Sequence, residues 1–263
     1  MKSHISALFA TSLVLASGSA IAGTTVSTTS EPMMTTSTDD GWQFTAGLYA
    51  WMAGLDGTIG AAGYTTDVGI SFSDILDTLD MTAMGAFEVR KGPWMLQLEG
   101  LYLKNSDGVS GIAPNGTPVT LKLTAETTRL EPVIGYRVVE TDATKVDLIA
   151  GAVYYDISNR LIVTGGGAAA SAKSQDSWWD PIVGVRVNQR FNERWSGQFR
   201  GEIGGFGVNA DLVWQLVGLV GYDFTENTTG FFGYRHAAVD YQNGGFTYDA
   251  ASSGPILGLA ITF

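Results

Sequence analysis

Ten segments of this chain alternate apolar and polar residues with a period of two, and the last stops on an aromatic residue with nothing polar behind it. In that last segment Leu257, Leu259, Ile261 and Phe263 share one face, and Ile256, Gly258, Ala260 and Thr262 share the other. A period of two is how a strand presents alternate residues to opposite sides. The segments are 42–54, 81–90, 94–105, 119–139, 146–159, 178–191, 195–206, 212–224, 229–241 and 246–263, each bounded by Gly, Asn, Asp or Pro. The body holds no run of about 18 apolar residues, so a membrane-spanning helix is not expected.

The connections differ in length. Those at 91–93, 140–145, 192–194 and 225–228 are short. Most on the other side are longer, namely 55–80, 106–118 and 160–177, with 207–211 and 242–245 beside them. Short turns at one end and long loops at the other mark an outer-membrane barrel. The fold expected is therefore all-β: an antiparallel, up-and-down transmembrane β-barrel of ten strands, with eight or twelve as neighbouring even counts. An even count puts both termini in the periplasm. The alternative, a soluble barrel or sandwich, would turn its apolar face inward and leave the terminal Phe263 and the turn asymmetry unexplained.

Aromatic residues sit at the strand ends. Trp94, Phe191, Trp195, Phe224 and Phe263 adjoin the short turns or the C-terminus, whereas Tyr102, Tyr154, Trp178, Trp179 and Tyr241 fall toward the other end. Two girdles are what the two membrane interfaces favour. Composition agrees. Hydrophobic residues make up 45% and charged residues only 16%, against about 25% charged in ordinary soluble domains. The net charge of −11 disfavours a nucleic-acid partner. The absence of cysteine removes disulfides, thiolate metal sites and cysteine nucleophiles.

The N-terminus reads as an export signal. Lys2 supplies the positive charge, Ile5 to Ala16 a short apolar core, and Ala20 and Ala22 a small-x-small pattern with cleavage expected after Ala22. Residues 23–41, rich in Thr and Ser, read as a flexible periplasmic linker, leaving 42–263 as the barrel. The location expected is the bacterial outer membrane.

Charge placement orients the strands, because Arg at the lipid midplane costs about 2–4 kcal/mol. Alternation puts Glu88, Arg90, Glu99, Arg129, Glu131, Arg137, Asp180, Arg186, Arg190, Arg200, Glu202 and Arg235 in the lumen. Every cation in that set is Arg, which suits a desolvated, bidentate network better than Lys does. Two readings follow: paired charges that fill a narrow barrel, or an ion-selective constriction. Two strands resist assignment. Residues 119–125 alternate in the opposite phase to 130–138, requiring a bulge or a change of environment. Both faces of 146–159 are apolar.

The longest connection, 55–80, contains two alternating pieces at 57–60 and 64–70 that could pair as a hairpin, and Ser73 can cap a short helix over 73–79. A surface interaction role through 55–80 and 160–177 is the alternative to a pore or structural barrel. A hydrolase is disfavoured. The mature chain's one histidine, His236, faces outward if Arg235 faces inward, no G-x-S-x-G occurs, and Asp240 lies about 13 Å along the strand. No metal or cofactor is expected.

The stretches Ser71-Phe72-Ser73-Asp74-Ile75-Leu76, Trp179-Asp180-Pro181-Ile182-Val183-Gly184-Val185-Arg186 and Gly204-Gly205-Phe206-Gly207-Val208 carry a family likeness. Trp214-Gln215, Gly233-Tyr234-Arg235, Asp240-Tyr241 and Gly254-Pro255-Ile256-Leu257-Gly258 extend it. Together they resemble a family of proteobacterial, loosely porin-like outer-membrane β-barrel proteins, over nearly the whole mature chain. The resemblance implies fold and location and transfers no catalytic or binding residue. The partners implied are outer-membrane lipid and lipopolysaccharide, and the barrel-assembly machinery through the C-terminal strand ending in Phe263.

Overall fold

A computed structural model describes residues 41–61, 63–112 and 116–263. The expected signal peptide and all but the last residue of the linker lie outside the described residues.

Twelve strands form one antiparallel sheet that closes on itself through β1 and β12. They are β1 (Trp42–Trp51), β2 (Gly54–Ala61), β3 (Tyr64–Ile70), β4 (Leu79–Lys91), β5 (Trp94–Ile112), β6 (Pro118–Glu140), β7 (Thr144–Gly165), β8 (Ala168–Arg190), β9 (Trp195–Gly205), β10 (Leu212–Asp223), β11 (Thr228–Asn243) and β12 (Phe246–Thr262). One helix, α1 (Phe72–Leu76), lies between β3 and β4. The barrel has ten staves. β12 pairs with β1 over its lower half (Ile256↔Trp51 to Thr262↔Thr45) and with β2 over its upper half (Thr247↔Gly60 to Ser253↔Gly54). So β2 prolongs β1 past a break at Met52 and Ala53, and β3 turns back beside it as a hairpin above the membrane. The two extra strands add height and no extra stave. The β1–β4 ladder stops at Leu48↔Gly85; above it the Trp51 amide donates to the Met84 sulfur at 3.4 Å.

The ten segments read from sequence are all found, with two corrections at the outer end. Residues 106–118 and 160–177 are largely strand, because β5 to β8 run on for 19 to 23 residues each. A crossing needs only about 9–11 residues, so roughly half of β6, β7 and β8 stands above the bilayer. The β7–β8 turn is two glycines, Gly166 and Gly167, with φ of 59° and 81°. Positive φ at both central residues is what a tight hairpin turn needs. The asymmetry between the two ends is thus one of strand length. The second correction concerns the helix, which is capped by Ser71 rather than Ser73: the Asp74 amide donates to the Ser71 hydroxyl and the Asp74 carboxylate accepts from the Ser71 amide.

The phase reversal in β6 involves no bulge. Pairing with β5 and β7 keeps one register from Val119 through Leu130. Below Thr128 the outward positions are apolar, with Leu130, Ile134 and Tyr136 exposed. Above it the outward positions are Lys122, Thr124 and Glu126, and Lys104 of β5 pairs with Glu126 at 2.6 Å. The strand leaves hydrocarbon there and enters water.

An outward belt of exposed apolar side chains circles the lower barrel, including Leu48, Leu96, Leu98, Leu148, Val183, Phe199, Leu216, Phe232 and Leu259. In water a continuous apolar surface of that extent would drive association; in a bilayer it is the wetted face. Aromatic clusters edge it below: Phe44 stacks between Phe87 and Phe263, Trp94 meets Tyr136, and Trp195 meets Tyr222. Trp94, Phe191, Trp195, Phe224 and Phe263 all point outward as expected. At the upper edge Trp179 packs on Tyr154 at 5.0 Å, and Tyr102 shares their outward face. Tyr241 does not belong there, nor does Trp178. Both are buried inside, their rings 3.7 Å apart and 4° from parallel. Odd-numbered β11 positions, Arg235 among them, face the lumen, and Tyr241 follows that parity.

Candidate functional site

The lumen is filled by side chains that alternate inward from all ten staves, in two ionic tiers below an aromatic layer. The lower tier centres on Asp147, which is wholly buried. Arg90 donates to it through both terminal nitrogens at 3.3 and 2.8 Å, Arg137 through Nε at 3.1 Å, and Arg186 through Nε and Nη2 at 3.3 and 3.0 Å. Three guanidiniums converge because Asp147 is the direct cross-strand partner of Arg137 on β6 and of Arg186 on β8. Glu88 receives Arg186 at 2.6 Å and lies 3.4 Å from Arg90, and Glu140 at the rim receives Arg137 at 3.0 Å.

The upper tier sets Arg129, Arg200 and Arg235 against Glu99, Glu131 and Glu202. Glu131 joins Arg129 to Arg200, Glu202 binds Arg200, and Glu99 binds Arg235. Glu99 also lies 3.6 Å from both Arg129 and Arg200 and accepts the Tyr49 hydroxyl at 2.7 Å. Gln215 accepts from Arg235 at 2.8 Å and donates to Glu131 and Glu202. Gln97 stands between the tiers, its carbonyl 3.5 Å from Arg186 and from Arg200. Charged hydrogen bonds of this kind are the strong ones, and in a low dielectric each unpaired member would be costly.

Above the network the guanidinium of Arg235 lies 4.7 Å from the Trp51 ring centre and that of Arg129 lies 5.8 Å from Tyr155. Tyr155, Trp178, Tyr241, Phe246 and Tyr248 then pack across the barrel. Tyr241 donates to Asp176 at 3.0 Å at the top of this layer. Between the upper tier and the aromatics, the space enclosed by Arg129, Glu131, Tyr155, Ile182, Glu202, Val213 and Gln215 is about 10 Å³, room for one water.

Ten of the twelve lumen residues read from sequence meet in this network. Two do not. Asp180 is buried but turned to the β9–β10 connection, where it accepts the backbone amides of Asn209 and Ala210 at 3.2 and 2.9 Å. Arg190 sits at the periplasmic rim, its side chain 53% exposed, 3.4 Å from Asp223. It is the last residue of β8, below the belt. The residues that sequence reasoning missed are Asp147, Tyr49 and Gln215. Asp147 lies in the strand whose faces are both apolar, but its placement opposite two arginines was readable once the register was known. Tyr49 and Gln215 carry no charge and gave no signal. Among the described residues no cluster of His, Cys, Asp and Glu could hold a metal ion.

His236 faces outward, as its neighbour's inward placement requires. It packs tilted against Trp214, with ring centres 4.6 Å apart and planes 36° from parallel, and its Nδ1 lies 2.5 Å from the hydroxyl of Ser253 on β12.

Comparison of the sequence with protein-family models and with curated proteins finds no match. Comparison of the fold does. The chain is similar to the outer membrane protease OmpT from Escherichia coli, with 10% identity over 86% of this chain and 98% of that one and a TM-score of 0.55. It is also similar to the translocator domain of the autotransporter NalP from Neisseria meningitidis, with 10% identity, 85% and 89% coverage and a TM-score of 0.40. The chain thus has the fold of bacterial outer-membrane β-barrels, and its apolar belt between aromatic girdles places it in that membrane.

Proposed function

We propose that this protein is a closed structural barrel of the outer membrane, and that it acts at the cell surface through the β-walls it raises there. The observation that carries this reading is the pairing of charge across the lumen: six arginines and five carboxylates pair with one another across the bore. Trp178 and Tyr241 stack face to face above them. A constriction that passes ions needs a polar group with spare valence facing a path; here every arginine and carboxylate of the two tiers is paired, and among the described residues Arg235 Nε and the Trp51 and Trp178 indole nitrogens are lumen groups left without a hydrogen-bond partner. Three hairpins, β2–β3, β5–β6 and β7–β8, supply the exposed surface. On the lumen-side face of the taller wall Val109, Leu121, Leu123 and Leu161 are exposed above the aromatic layer, an apolar lining suited to contact with a partner.

Planar-bilayer recording of the refolded barrel, shown to be folded by heat-modifiable migration, tests this. Wild type is expected to be silent, and so is Glu99→Gln, since the aromatic layer remains. Stable unitary steps in wild type, with ion selectivity altered by Glu99→Gln, would replace this reading with a narrow porin-like channel.

A further inference from the structure

We propose that Ser253 and His236 form a nucleophile–base pair on the outer face of the barrel, acting on carboxylic esters of amphiphiles in the outer leaflet. The pair is built by the sheet. His236 and Ser253 are direct cross-strand partners on β11 and β12, and both sit on the outward face. The imidazole Nδ1 and the serine oxygen are 2.5 Å apart, within the reach that a serine nucleophile needs from its base. Trp214, diagonal to His236 on β10, packs on the imidazole at 4.6 Å and fixes the ring plane. Any other outward polar pair in this sheet could satisfy itself in the same way; what distinguishes this one is depth and space.

The depth is that of an ester. Immediately below the pair the outward residues are Leu216, Tyr234, Pro255 and Leu257, all exposed on the apolar belt. Immediately above it they are Ala238 and Ala251, then Asp240 and Asp249, with Asp56 and Thr58 on β2. Ser253 therefore lies where hydrocarbon gives way to water, the level at which a lipid's ester carbonyl sits between its chain and its head group. There is also room. Ala238 and Ala251 floor a depression of about 300 Å³ walled by Leu212, Trp214, Asp56 and Thr58 and rimmed by Asp240 and Asp249. A head group can occupy it while the acyl chain lies down the belt. The carboxylate rim disfavours an anionic head group and suits a neutral or ammonium-bearing one.

The chemistry closes on itself. His236 Nδ1 takes the Ser253 proton as the serine oxygen attacks the acyl carbonyl. The proton then goes to the departing alcohol as the ester bond breaks, leaving an acyl-serine. Water, deprotonated by the same nitrogen, attacks that ester, and the proton returns to Ser253 as the fatty acid leaves. The sum is ester plus water giving acid plus alcohol, with no further reactant.

The test is covalent labelling of the folded barrel in zwitterionic micelles with a long-chain fluorophosphonate, read by mass spectrometry of the Ser253 peptide. Hydrolysis of a p-nitrophenyl palmitate ester is measured beside it. Wild type is expected to carry the phosphonyl group on Ser253. His236→Gln, which keeps a hydrogen-bonding side chain but cannot take up the proton, should lose at least about 100-fold in labelling rate, while its heat-modifiable migration stays unchanged. Ser253→Ala should release no p-nitrophenol above the protein-free rate. An unlabelled Ser253 in a barrel shown to be folded overturns the proposal. So does labelling that is equal in wild type and His236→Gln, which would make the contact a structural hydrogen bond only.

Discussion

Arg235→Met removes one of three cations from a buried tier that holds three carboxylates, and the arithmetic of that tier makes the outcome predictable. Arg235 is 2% exposed, bound to Glu99 and Gln215 and laid on Trp51. The single variant leaves Arg129 and Arg200 facing Glu99, Glu131 and Glu202, a buried net charge of minus one. Breaking a buried pair by removing one partner costs about 3–5 kcal/mol. The lower end applies here, about 3 kcal/mol, because Glu99 keeps the Tyr49 hydroxyl at 2.7 Å and two guanidiniums at 3.6 Å. Glu99→Gln leaves three cations and two anions and should cost about as much, since among the described residues Arg235 loses its only carboxylate partner within 4 Å. The double variant restores two against two. Its loss should therefore fall short of the sum of the singles by about 2 kcal/mol or more, outside the roughly 0.5 kcal/mol scatter of additive sites. Reversible urea unfolding in phospholipid vesicles, followed by tryptophan fluorescence, measures all three. Losses that add within that scatter would mean that the tier does not act as a charge-balanced unit, and the structural reading of the lumen would fail.

Trp178→Ala removes the centre of the aromatic layer and should cost about 3–5 kcal/mol, measured by the same urea titration. In planar bilayers it should stay silent, because both ionic tiers remain below. Gly233→Ala should cost about 1–3 kcal/mol, seen as a lower urea midpoint, because its new methyl would meet the backbone of Gly218 and Leu219 on β10 rather than a side chain that could swing away. Asp240, above the apolar belt, has its carboxyl pushed up by burial and then by Asp249 and Asp211. The sign follows from proton binding. The folded state takes up this proton at higher pH than the unfolded chain, so the group opposes folding at neutral pH, and its penalty fades as pH falls through the raised value. Asp240→Asn should thus stabilise at pH 7 by about 0.2–1 kcal/mol, the range for like charges directly opposed on neighbouring strands. The gain should vanish in acid, and urea midpoints for both proteins across pH 3 to 7 would show it.

The staves were legible because a lipid-facing strand must alternate, and all but one of the ten left that mark; 146–159, apolar on both faces, was delimited by its bounding turns. The lumen was legible wherever an arginine fixed a strand's inward face. It was not legible in β7, where Val153, Tyr155 and Ile157 point inward onto packed aromatic and apolar groups while Leu148, Ala150 and Tyr154 point outward. Two apolar faces cancel the signal, and Asp147 was lost with it. Tyr241 and Trp178 were misplaced for a related reason. At the outer edge of a membrane barrel an aromatic residue suits both the interface and a packed lumen, and only strand parity decides between them.

The height of the outer wall escaped sequence reasoning for another reason. Residues 118–125 alternate as clearly as any others, but with the polar positions outward. Polar residues outward and apolar residues inward is the pattern of a strand in water. It is also what a membrane strand becomes once it has left the hydrocarbon. A single strand with continuous register therefore reverses its phase at the bilayer surface, and the reversal marks that surface to within a residue or two. In β6 it falls between Lys122, Glu126 and Thr128 on one side and Leu130 on the other. On β11 it falls between His236 and Asp240, and on β12 between Leu257 and Asp249. Ser253 lies inside the interval on β12, and His236 at its lower edge on β11. Moving the boundary tests both readings together. Thr128→Leu with Glu126→Leu extends the belt by two outward positions on β6, and such a barrel should insert better than wild type into vesicles of longer-chain lipid. Insertion no better than wild type there would mean that the phase reversal does not mark the membrane surface, and the depth assigned to Ser253 would lose its support.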